Sequence, residues 1–216
     1  MSDTDWTHVL LVRHGEVEEQ HRHTFYGGAE VPLSEAGEIA SPLLAAKLVE
    51  RYDPPDHIWC SPLSRTLAVA EPLAAIAGLE VQVDPGLLEL DRGSWTHMTH
   101  AALEQRSPGA IAAYLADPEH KNAPDGEKES VFTERVFAAF DKAVSAANGE
   151  NLVVVTHGHV IRVLMRRYLD WDVPTSLENF IPYHGVVELR ARPDGSGEIV
   201  DHPEGGKPLA LQFVGG

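Results

Sequence analysis

The sequence predicts an α/β fold in which helices flank a largely parallel sheet. Two apolar runs, residues 9–12 and 152–155, are short, continuous and rich in branched side chains, as strands buried on both faces are. Other strand-like runs alternate with segments whose apolar residues recur at helical spacing. The 216 residues are 43% hydrophobic and 23% charged, which suits a folded chain with a substantial core. We expect a single domain over residues 1–216.

Strands and helices alternate through the first part of the chain. Strands are expected at residues 8–12, 58–60 and 80–83. Ser34 has the residue type of an N-cap for the first long helix, and Ser61-Pro62 begins the second, with the serine as cap and the proline in the first turn. The apolar face of the first helix is expected on Ile39, Leu43, Leu44, Leu48 and Val49.

Residues 91–128 interrupt this alternation. They are polar, contain Pro108, Pro118 and Pro124, and show only short helical stretches, at residues 101–105 and 110–115. We expect an insertion that lies over one end of the sheet as a lid.

The alternation resumes after the insertion. A helix is expected at residues 129–147, followed by the strand 152–155 and another helix. The chain then turns through Pro193-Asp194-Gly195 between strands at residues 186–191 and 198–200, which predicts an antiparallel hairpin. The apolar face of helix 129–147 is expected on Val131, Phe132, Val136, Phe137, Phe140 and Val144.

Charge and cysteine content limit the partners and the compartment. The formal net charge of −16 argues against nucleic acid and anionic membranes as partners. No stretch is apolar enough to span a bilayer, and the polar, acidic start is unlike a secretory signal. Cys60 is the single cysteine, which excludes an intrachain disulfide, and we interpret it as a small buried hydrophobe. We therefore expect a cytoplasmic protein.

The two apolar runs both end in His-Gly. Arg13-His14-Gly15 follows the first run, and Thr156-His157-Gly158 follows the second. Ligands of open α/β sheets bind beyond the carboxyl ends of strands, so neighbouring strands would bring both imidazoles to one edge. An arginine there matches the oxygens of phosphate, and a histidine can act as base, nucleophile or metal ligand. A structural, hydrogen-bonded histidine is the alternative at each position.

Arg65 and Glu89 supply a further cation and an acid. Arg65 falls in the first turn of the second helix, where backbone N–H groups already favour an anion; alternatively it is a surface residue paired with Glu71 or Asp91. Glu89 stands between leucines, so burial is expected to raise its pKa and suit it to act as a general acid, with Asp91 as the nearest rival.

Five stretches, in order along nearly the whole chain, resemble the motifs of the histidine phosphatase superfamily, which has the phosphoglycerate mutase-like fold. The resemblance implies a three-layer sandwich with a mostly parallel central sheet. The stretches are residues 11–16, Tyr26-Gly27 with 31–37, 61–66, Leu88-Glu89 with Gly93 and Trp95, and 155–158 with 160–162.

The resemblance also implies roles for the site residues. His14 would attack phosphorus and form a phosphohistidine, while Arg13, Arg65 and His157 would hold the phosphoryl oxygens. Glu89 would protonate the leaving oxygen and then help water to attack. Two arginines and a cationic His157 would replace a divalent ion, so we expect no metal and no cofactor. The expected substrate-binding residues are Gly15, Tyr26, Gly27 and Gly158.

Local differences place the chain in the mutase and small-phosphatase branch of that superfamily. Glu16-Val17-Glu18 stands where the acid phosphatase branch has arginine and proline, and glycine follows His157 where that branch has aspartate. Thr96-His97 stands where Glu-Gly is usual, so the region next to the acid is expected to differ.

Several residues and functions remain open at this point. Paired histidines at residues 21–23 and 97–100 are expected to be solvated rather than metal ligands, and Arg162 is expected to be a structural ion-pair partner. The favoured function is metal-independent hydrolysis of a small phosphorylated metabolite. A phosphoglycerate mutase and a catalytically silent phospho-ligand-binding protein are the alternatives. A homodimer is a family-level expectation.

Overall fold

A computed structural model of the chain describes residues 6–119, 122–173, 176 and 179–201. These residues form one mixed sheet, whose strands are β1 (Thr7–Arg13), β2 (His57–Cys60), β3 (Val81–Val83), β4 (Leu152–Thr156), β5 (Val186–Ala191) and β6 (Gly197–Asp201). The order of the strands across the sheet is β3-β2-β4-β1-β5-β6. β1, β2, β3 and β4 run parallel to one another, whereas β5 and β6 add an antiparallel hairpin beside β1. The predicted α/β fold and its C-terminal hairpin are thereby confirmed.

Helices cover both faces of the sheet, as a three-layer sandwich requires. The helices are α1 (Glu19–Arg22), α2 (Glu35–Arg51), α3 (Ser64–Ala77), α4 (His100–Arg106), α5 (Ala110–Ala116), α6 (Glu129–Ala147) and α7 (Gly158–Leu169). Along β1, Val9 and Leu11 pack with α6 and α7, whereas Leu10 and Val12 pack with α2 and α3. Because successive strand residues point to opposite faces, a strand covered on both sides must be apolar at every position.

The helix faces follow the prediction only in part. Ser34 caps α2 as expected, because its Oγ accepts a hydrogen bond from the Gly37 N–H at 3.0 Å. Leu44 and Leu48 are buried, but Ile39 and Leu43 are 60% and 50% exposed, and Val131 of α6 is 51% exposed. The buried face of α2 also includes the small residues Gly37, Ser41 and Ala45. Their small side chains let the helix lie close to its neighbours.

The predicted start of α3 is wrong by two residues, because the N-cap is Leu63 rather than Ser61. The N–H of Ser61 donates to the Val155 carbonyl at 3.1 Å, so Ser61 continues the pairing of β2 with β4 and cannot turn into a helix. The helix begins at Ser64 with Leu63 as its N-cap, and the N–H of Ser64 donates to the Glu30 carboxylate at 3.3 Å. The Ser61 hydroxyl lies 2.8 Å from Nε2 of His157 instead of capping the helix.

Residues 91–128 contain α4 and α5 and a 3₁₀ turn at Gly93–Trp95, close to the short helices expected. They enclose a small apolar cluster of their own, made of Trp95, Leu103, Tyr114 and Ala123. The N–H of Phe25 donates to the Met98 carbonyl at 2.9 Å, which ties this segment to the loop after β1. Among the described helices, none is long and apolar enough to cross a membrane.

Candidate active site

His14 and His157 lie side by side at one edge of the sheet. Arg13, the last residue of β1, pairs with Thr156, the last residue of β4, and the N–H of His14 donates to the Thr156 carbonyl at 3.0 Å. The two imidazole rings meet edge to face with centroids 5.2 Å apart. The structure therefore brings together the two strand-end histidines that the sequence singled out.

His14 is held as a buried, neutral imidazole. Burial lowers its pKa well below the ordinary value, and the nearby Arg13, His157 and Arg65 lower it further. Its Nδ1 lies 2.7 Å from the Gly15 carbonyl oxygen, so the Nδ1–H tautomer donates there and leaves a lone pair on Nε2. Gly15 has no room for a side chain, because a Cβ would come within 2.7 Å of the Ser41 hydroxyl.

His157 is also fully buried, and its environment differs from the expectation of a cationic ring. Burial lowers its pKa well below the ordinary value and Arg65 adds to that effect, while Glu89 opposes it. The protein's own groups therefore hold the ring neutral. Its Nε2 lies 2.8 Å from the Ser61 hydroxyl, and its Nδ1 is buried without a hydrogen-bonding partner in the described part of the chain.

Arg65 is a buried cation with no carboxylate partner among residues 6–119, 122–173, 176 and 179–201. Its guanidinium donates to the carbonyl oxygens of Ala29 at 2.7 Å and Gly27 at 2.8 Å, and lies 5.2 Å from the centre of the Tyr26 ring. Pairing with Glu71 or Asp91, the surface alternative, does not occur. Its Nε is buried and makes no hydrogen bond there.

Arg13 reaches the same place from the end of β1. Its guanidinium lies 4.2 Å from the centre of the Tyr183 ring and donates to the Ile181 carbonyl. A Cβ at Gly158 would stand 3.4 Å from this guanidinium, so the glycine allows the start of α7 to approach it. The Tyr183 hydroxyl lies 3.5 Å from that of Tyr26, which connects the segment before β5 to the loop after β1.

Glu89 is buried as expected, but its pKa moves in the opposite direction. Burial alone would raise the pKa of the Glu89 carboxyl, but the nearby His159 and His157 oppose that effect. The backbone N–H groups of His159 and Leu90 also donate to the two carboxylate oxygens, at 3.0 and 2.9 Å. Together these contacts lower the pKa to about 2. The prediction of a raised pKa is wrong for the protein alone, because flanking leucines do not reveal backbone donors.

A buried ionic cluster lies behind Glu89. His159, whose N–H binds Glu89, places its ring Nε2 3.3 Å from the Glu129 carboxylate, and Arg166 donates to the same carboxylate oxygen at 2.8 Å. These contacts, despite the cost of burial, lower the pKa of Glu129 to about 2. The cluster fixes the start of α7 and with it the N–H that orients Glu89.

A cavity of 370 Å³ opens above these residues. Five of the predicted site residues line it: Arg13, Tyr26, Gly27, Glu89 and Gly158. His14, Arg65 and His157 are at most 1% exposed and do not themselves line the cavity. The Tyr183 ring packs against His14, with ring centroids 5.7 Å apart.

The sequence reasoning missed several residues at this edge of the sheet. Tyr183 and His184 precede β5, which runs antiparallel to β1, and the start of an antiparallel neighbour lies beside the end of β1. That rule could have identified them. Arg92 and Arg162 also line the cavity, and Arg162 has no ion-pair partner among the described residues, contrary to expectation.

The paired histidines in the loops do not assemble a metal site in the described residues. His21 and His97 lie with ring centroids 6.0 Å apart, and nowhere in that part of the chain do three metal-binding side chains converge. Cys60 is buried, and burial raises its pKa to about 12, as suits a small hydrophobe at a strand end.

Comparison with known proteins gives consistent results. A sequence model of the histidine phosphatase superfamily (branch 1) matches residues 9–202. Phosphoglycerate mutase-like protein 4 of Arabidopsis thaliana is 30% identical over 167 residues, which are 76% of this chain and 72% of that protein. The adenosylcobalamin/alpha-ribazole phosphatase of Salmonella typhimurium is 30% identical over 161 residues, 74% of this chain and 79% of that protein. A solved mycobacterial glucosyl-3-phosphoglycerate phosphatase with VO3 has a TM-score of 0.74 and 26% identity, covering 85% of this chain and 92% of that one.

Proposed function

The chain belongs to the histidine phosphatase superfamily and is a phosphatase of that family, and on this premise we propose that it hydrolyses small phosphomonoesters through a phosphohistidine on His14, without a metal ion. The observation that carries the proposal is the state of His14. It is a neutral imidazole with its Nδ1 bound to the Gly15 carbonyl oxygen, beside the guanidinium groups of Arg13 and Arg65. A nucleophile that is tied at one nitrogen presents the other nitrogen in a fixed direction.

In the first step, the lone pair of His14 Nε2 forms an N–P bond while the P–O bond to the leaving group breaks. The leaving oxygen keeps the electron pair of that bond and takes a proton from Glu89. Arg13 and Arg65 balance the negative charge of the phosphoryl oxygens, and His157 donates to one of them from Nδ1. Burial strengthens these interactions because no water competes for the donors.

In the second step, a water molecule attacks phosphorus and the N–P bond breaks, returning its electrons to Nε2. The Glu89 carboxylate, now deprotonated, takes one proton from that water. Glu89 thereby regains the proton that it gave to the leaving oxygen, and the cycle closes with alcohol and inorganic phosphate as products.

Glu89 must be protonated before the first step, although its pKa in the protein alone is about 2. A phosphate dianion brings negative charge next to the carboxylate, and like charges raise the pKa of a carboxyl group. Glu89 therefore takes up its proton together with the substrate. Glu89 can therefore act as an acid because substrate binding raises the pKa of its carboxyl group, and not because leucines flank it in the sequence.

The segment of residues 91–128 is proposed as the lid of a single domain that spans residues 1–216. It supplies Arg92 and Tyr114 to the wall of the cavity, and its N-terminal end carries Thr96-His97, the departure from the usual Glu-Gly. Residue types on this wall decide which esters enter. Cytoplasmic location and a homodimer stay predictions.

The proposal is tested by phosphate release from p-nitrophenyl phosphate in excess chelator. We expect undiminished turnover in chelator and loss of at least about 10³-fold in His14→Ala, with His23→Ala, an exposed loop histidine, unchanged. Loss of turnover on chelation contradicts metal independence, and an active His14→Ala variant contradicts the nucleophile.

The mutase alternative is tested with 3-phosphoglycerate. We expect free phosphate to form faster than 2-phosphoglycerate, because the short segment of residues 91–128 leaves water access to the phosphohistidine. Isomerisation that outruns release would make the protein a phosphoglycerate mutase.

A further inference from the structure

The cavity above the candidate phosphate site holds more positive charge than one phosphoryl group requires. Arg13 and Arg65 belong to the phosphate site, but Arg92 and Arg162 also line the cavity or its approach. Neither makes a hydrogen bond or an ion pair within the described residues, although the chain carries a net charge of −16. Five other arginines each have a carboxylate partner: Arg22, Arg135, Arg166, Arg167 and Arg190.

Three buried donors converge on the part of the cavity formed by the insertion and α7. Arg92 Nη1, Arg162 Nε and the hydroxyl of Tyr114 are all buried without a hydrogen-bonding partner in the described part of the chain. Tyr114 is only 4% exposed, and the Arg92 guanidinium lies 5.3 Å from the centre of its ring. A buried donor without a partner destabilises a fold because its hydrogen bond to water is lost and not replaced, so three such donors in one place need an explanation.

The side chains around these donors leave this part of the cavity positively charged, although the chain as a whole is acidic. Glu89 is the acidic side chain that lines the cavity with them, and its oxygens are already taken by two backbone N–H groups. The wall also has an apolar part, which includes Phe25, Ile111 and Leu115, and Thr24 and His100 add neutral polar groups beside it. A small anionic group attached to a compact organic skeleton fits both parts of this wall.

Resting on the proposed function, we propose that Arg92, Tyr114 and Arg162 form a second anion subsite, so that the preferred substrates are phosphomonoesters with a further carboxylate or phosphate. The phosphoryl group to be cleaved lies at His14, and the second anion accepts hydrogen bonds from the two guanidinium groups and the tyrosine hydroxyl. Arg92, Tyr114 and Arg162 therefore determine which ester binds and do not touch the reacting atoms.

The experiment compares matched esters as competitors of p-nitrophenyl phosphate, which carries no second anion. 3-Phosphoglycerate has a carboxylate where glycerol 3-phosphate has an uncharged hydroxymethyl group. Fructose 1,6-bisphosphate has one phosphate more than fructose 6-phosphate. We expect the wild type to bind one or both of the doubly anionic esters at least about tenfold more tightly than the partner ester. The pair that shows the larger preference identifies the carboxylate or the phosphate as the second anion.

Arg162→Met and Arg92→Met are expected to reduce that preference by about tenfold or more, and Tyr114→Phe by a few fold. Their kcat/KM for p-nitrophenyl phosphate stays within about threefold of the wild type. The matched control is Arg106→Met, because Arg106 is an exposed arginine of the same insertion that does not line the cavity and donates to the Met98 sulfur at 3.5 Å. This variant should leave the preference unchanged.

An unchanged preference in Arg92→Met and Arg162→Met, with p-nitrophenyl phosphate still hydrolysed, overturns the subsite and leaves the proposed function standing. An equal loss for all esters, including p-nitrophenyl phosphate, also overturns it, because the arginines then serve the reacting phosphate. Absence of phosphate release from every ester in the wild type contradicts the proposed function and this inference together.

Discussion

The Ser61 hydroxyl lies 2.8 Å from Nε2 of His157 and is the hydrogen-bonding partner of that buried ring in the described residues. If the hydroxyl donates to Nε2, the proton of the neutral imidazole is on Nδ1, the nitrogen that has no partner among the described residues. Nδ1 is then the donor available to a phosphoryl oxygen. Ser61 is thereby a positioning residue that acts through His157.

Ser61→Ala removes this contact, and we expect kcat to fall by about tenfold while KM changes little, because the hydrogen bond matters most when charge develops on the phosphoryl oxygens. Ser64→Ala is the matched control, since the Ser64 hydroxyl donates to the exposed Glu30 carboxylate and not to His157. Equal steady-state constants for Ser61→Ala and the wild type would show that the serine does not position His157.

Removal of the acid should depend on the leaving group. In Glu89→Gln, kcat/KM is expected to fall by about 10²–10⁴-fold for alkyl phosphates, because an alkoxide leaves only when it is protonated. The loss should be much smaller for p-nitrophenyl phosphate, whose leaving phenolate is stable. The measurement is kcat/KM over a series of phosphate esters that differ in leaving-group pKa, and a uniform loss across the series contradicts the acid role.

Binding of a phosphate dianion should draw a proton into the site. The pKa of Glu89 is about 2 in the protein alone, so the carboxyl is ionised at pH 8, where inorganic phosphate is a dianion. We expect calorimetric titration with phosphate, repeated in buffers of different ionisation enthalpy, to report uptake of up to one proton per site. Glu89→Gln should abolish the uptake; if it persists, the proton goes to another group such as His157.

Acid should destabilise the fold partly through His184. Burial is the main cause that lowers the pKa of His184 to about 4. The nearby Arg13 lowers this pKa further, whereas Glu16 raises it. The unfolded chain therefore binds a proton below pH 6.5 that the folded protein excludes. The free energy of unfolding is unaffected by this group above pH 6.5 and decreases as the pH falls towards 4, by at most about 1.4 kcal/mol per pH unit.

The test is His184→Asn, because asparagine tolerates the φ of +58° found at this position. Urea unfolding between pH 7 and pH 4.5 should show a pH slope shallower by up to one proton than that of the wild type, while His23→Asn, in an exposed loop, keeps the wild-type slope. Equal slopes for His184→Asn and the wild type would show that His184 titrates normally in the folded protein.

The buried strands could be predicted from the sequence, because a continuous apolar run indicates a strand that is buried on both faces. The runs before His14 and His157 placed both histidines at strand ends, and the parallel pairing of β1 with β4 then brings the rings together. The N-cap at Ser34 and the bounds of the helix Glu129–Ala147 were also readable, since caps and helical periodicity are local signals.

Contacts between distant segments were not readable from local signals. Ser61 was predicted as a helix cap, but its pairing with Val155 keeps it in the sheet. The pKa of Glu89 depends on an N–H group at the start of α7, seventy positions further along the chain. Arg162 has a residue type that usually forms ion pairs on a helix, and only the fold shows that its surroundings hold no partner among the described residues.

A covalent phosphohistidine on His14 is tested most directly in the Glu89→Gln variant. p-Nitrophenyl phosphate needs no acid in the first step, whereas hydrolysis of the phosphohistidine needs Glu89 as base. Rapid mixing should release about one nitrophenolate per site before turnover slows, and alkaline quenching followed by peptide mass analysis should find one phosphoryl group on His14. Continued turnover without a burst, or a phosphoryl group on any other residue, would contradict the mechanism.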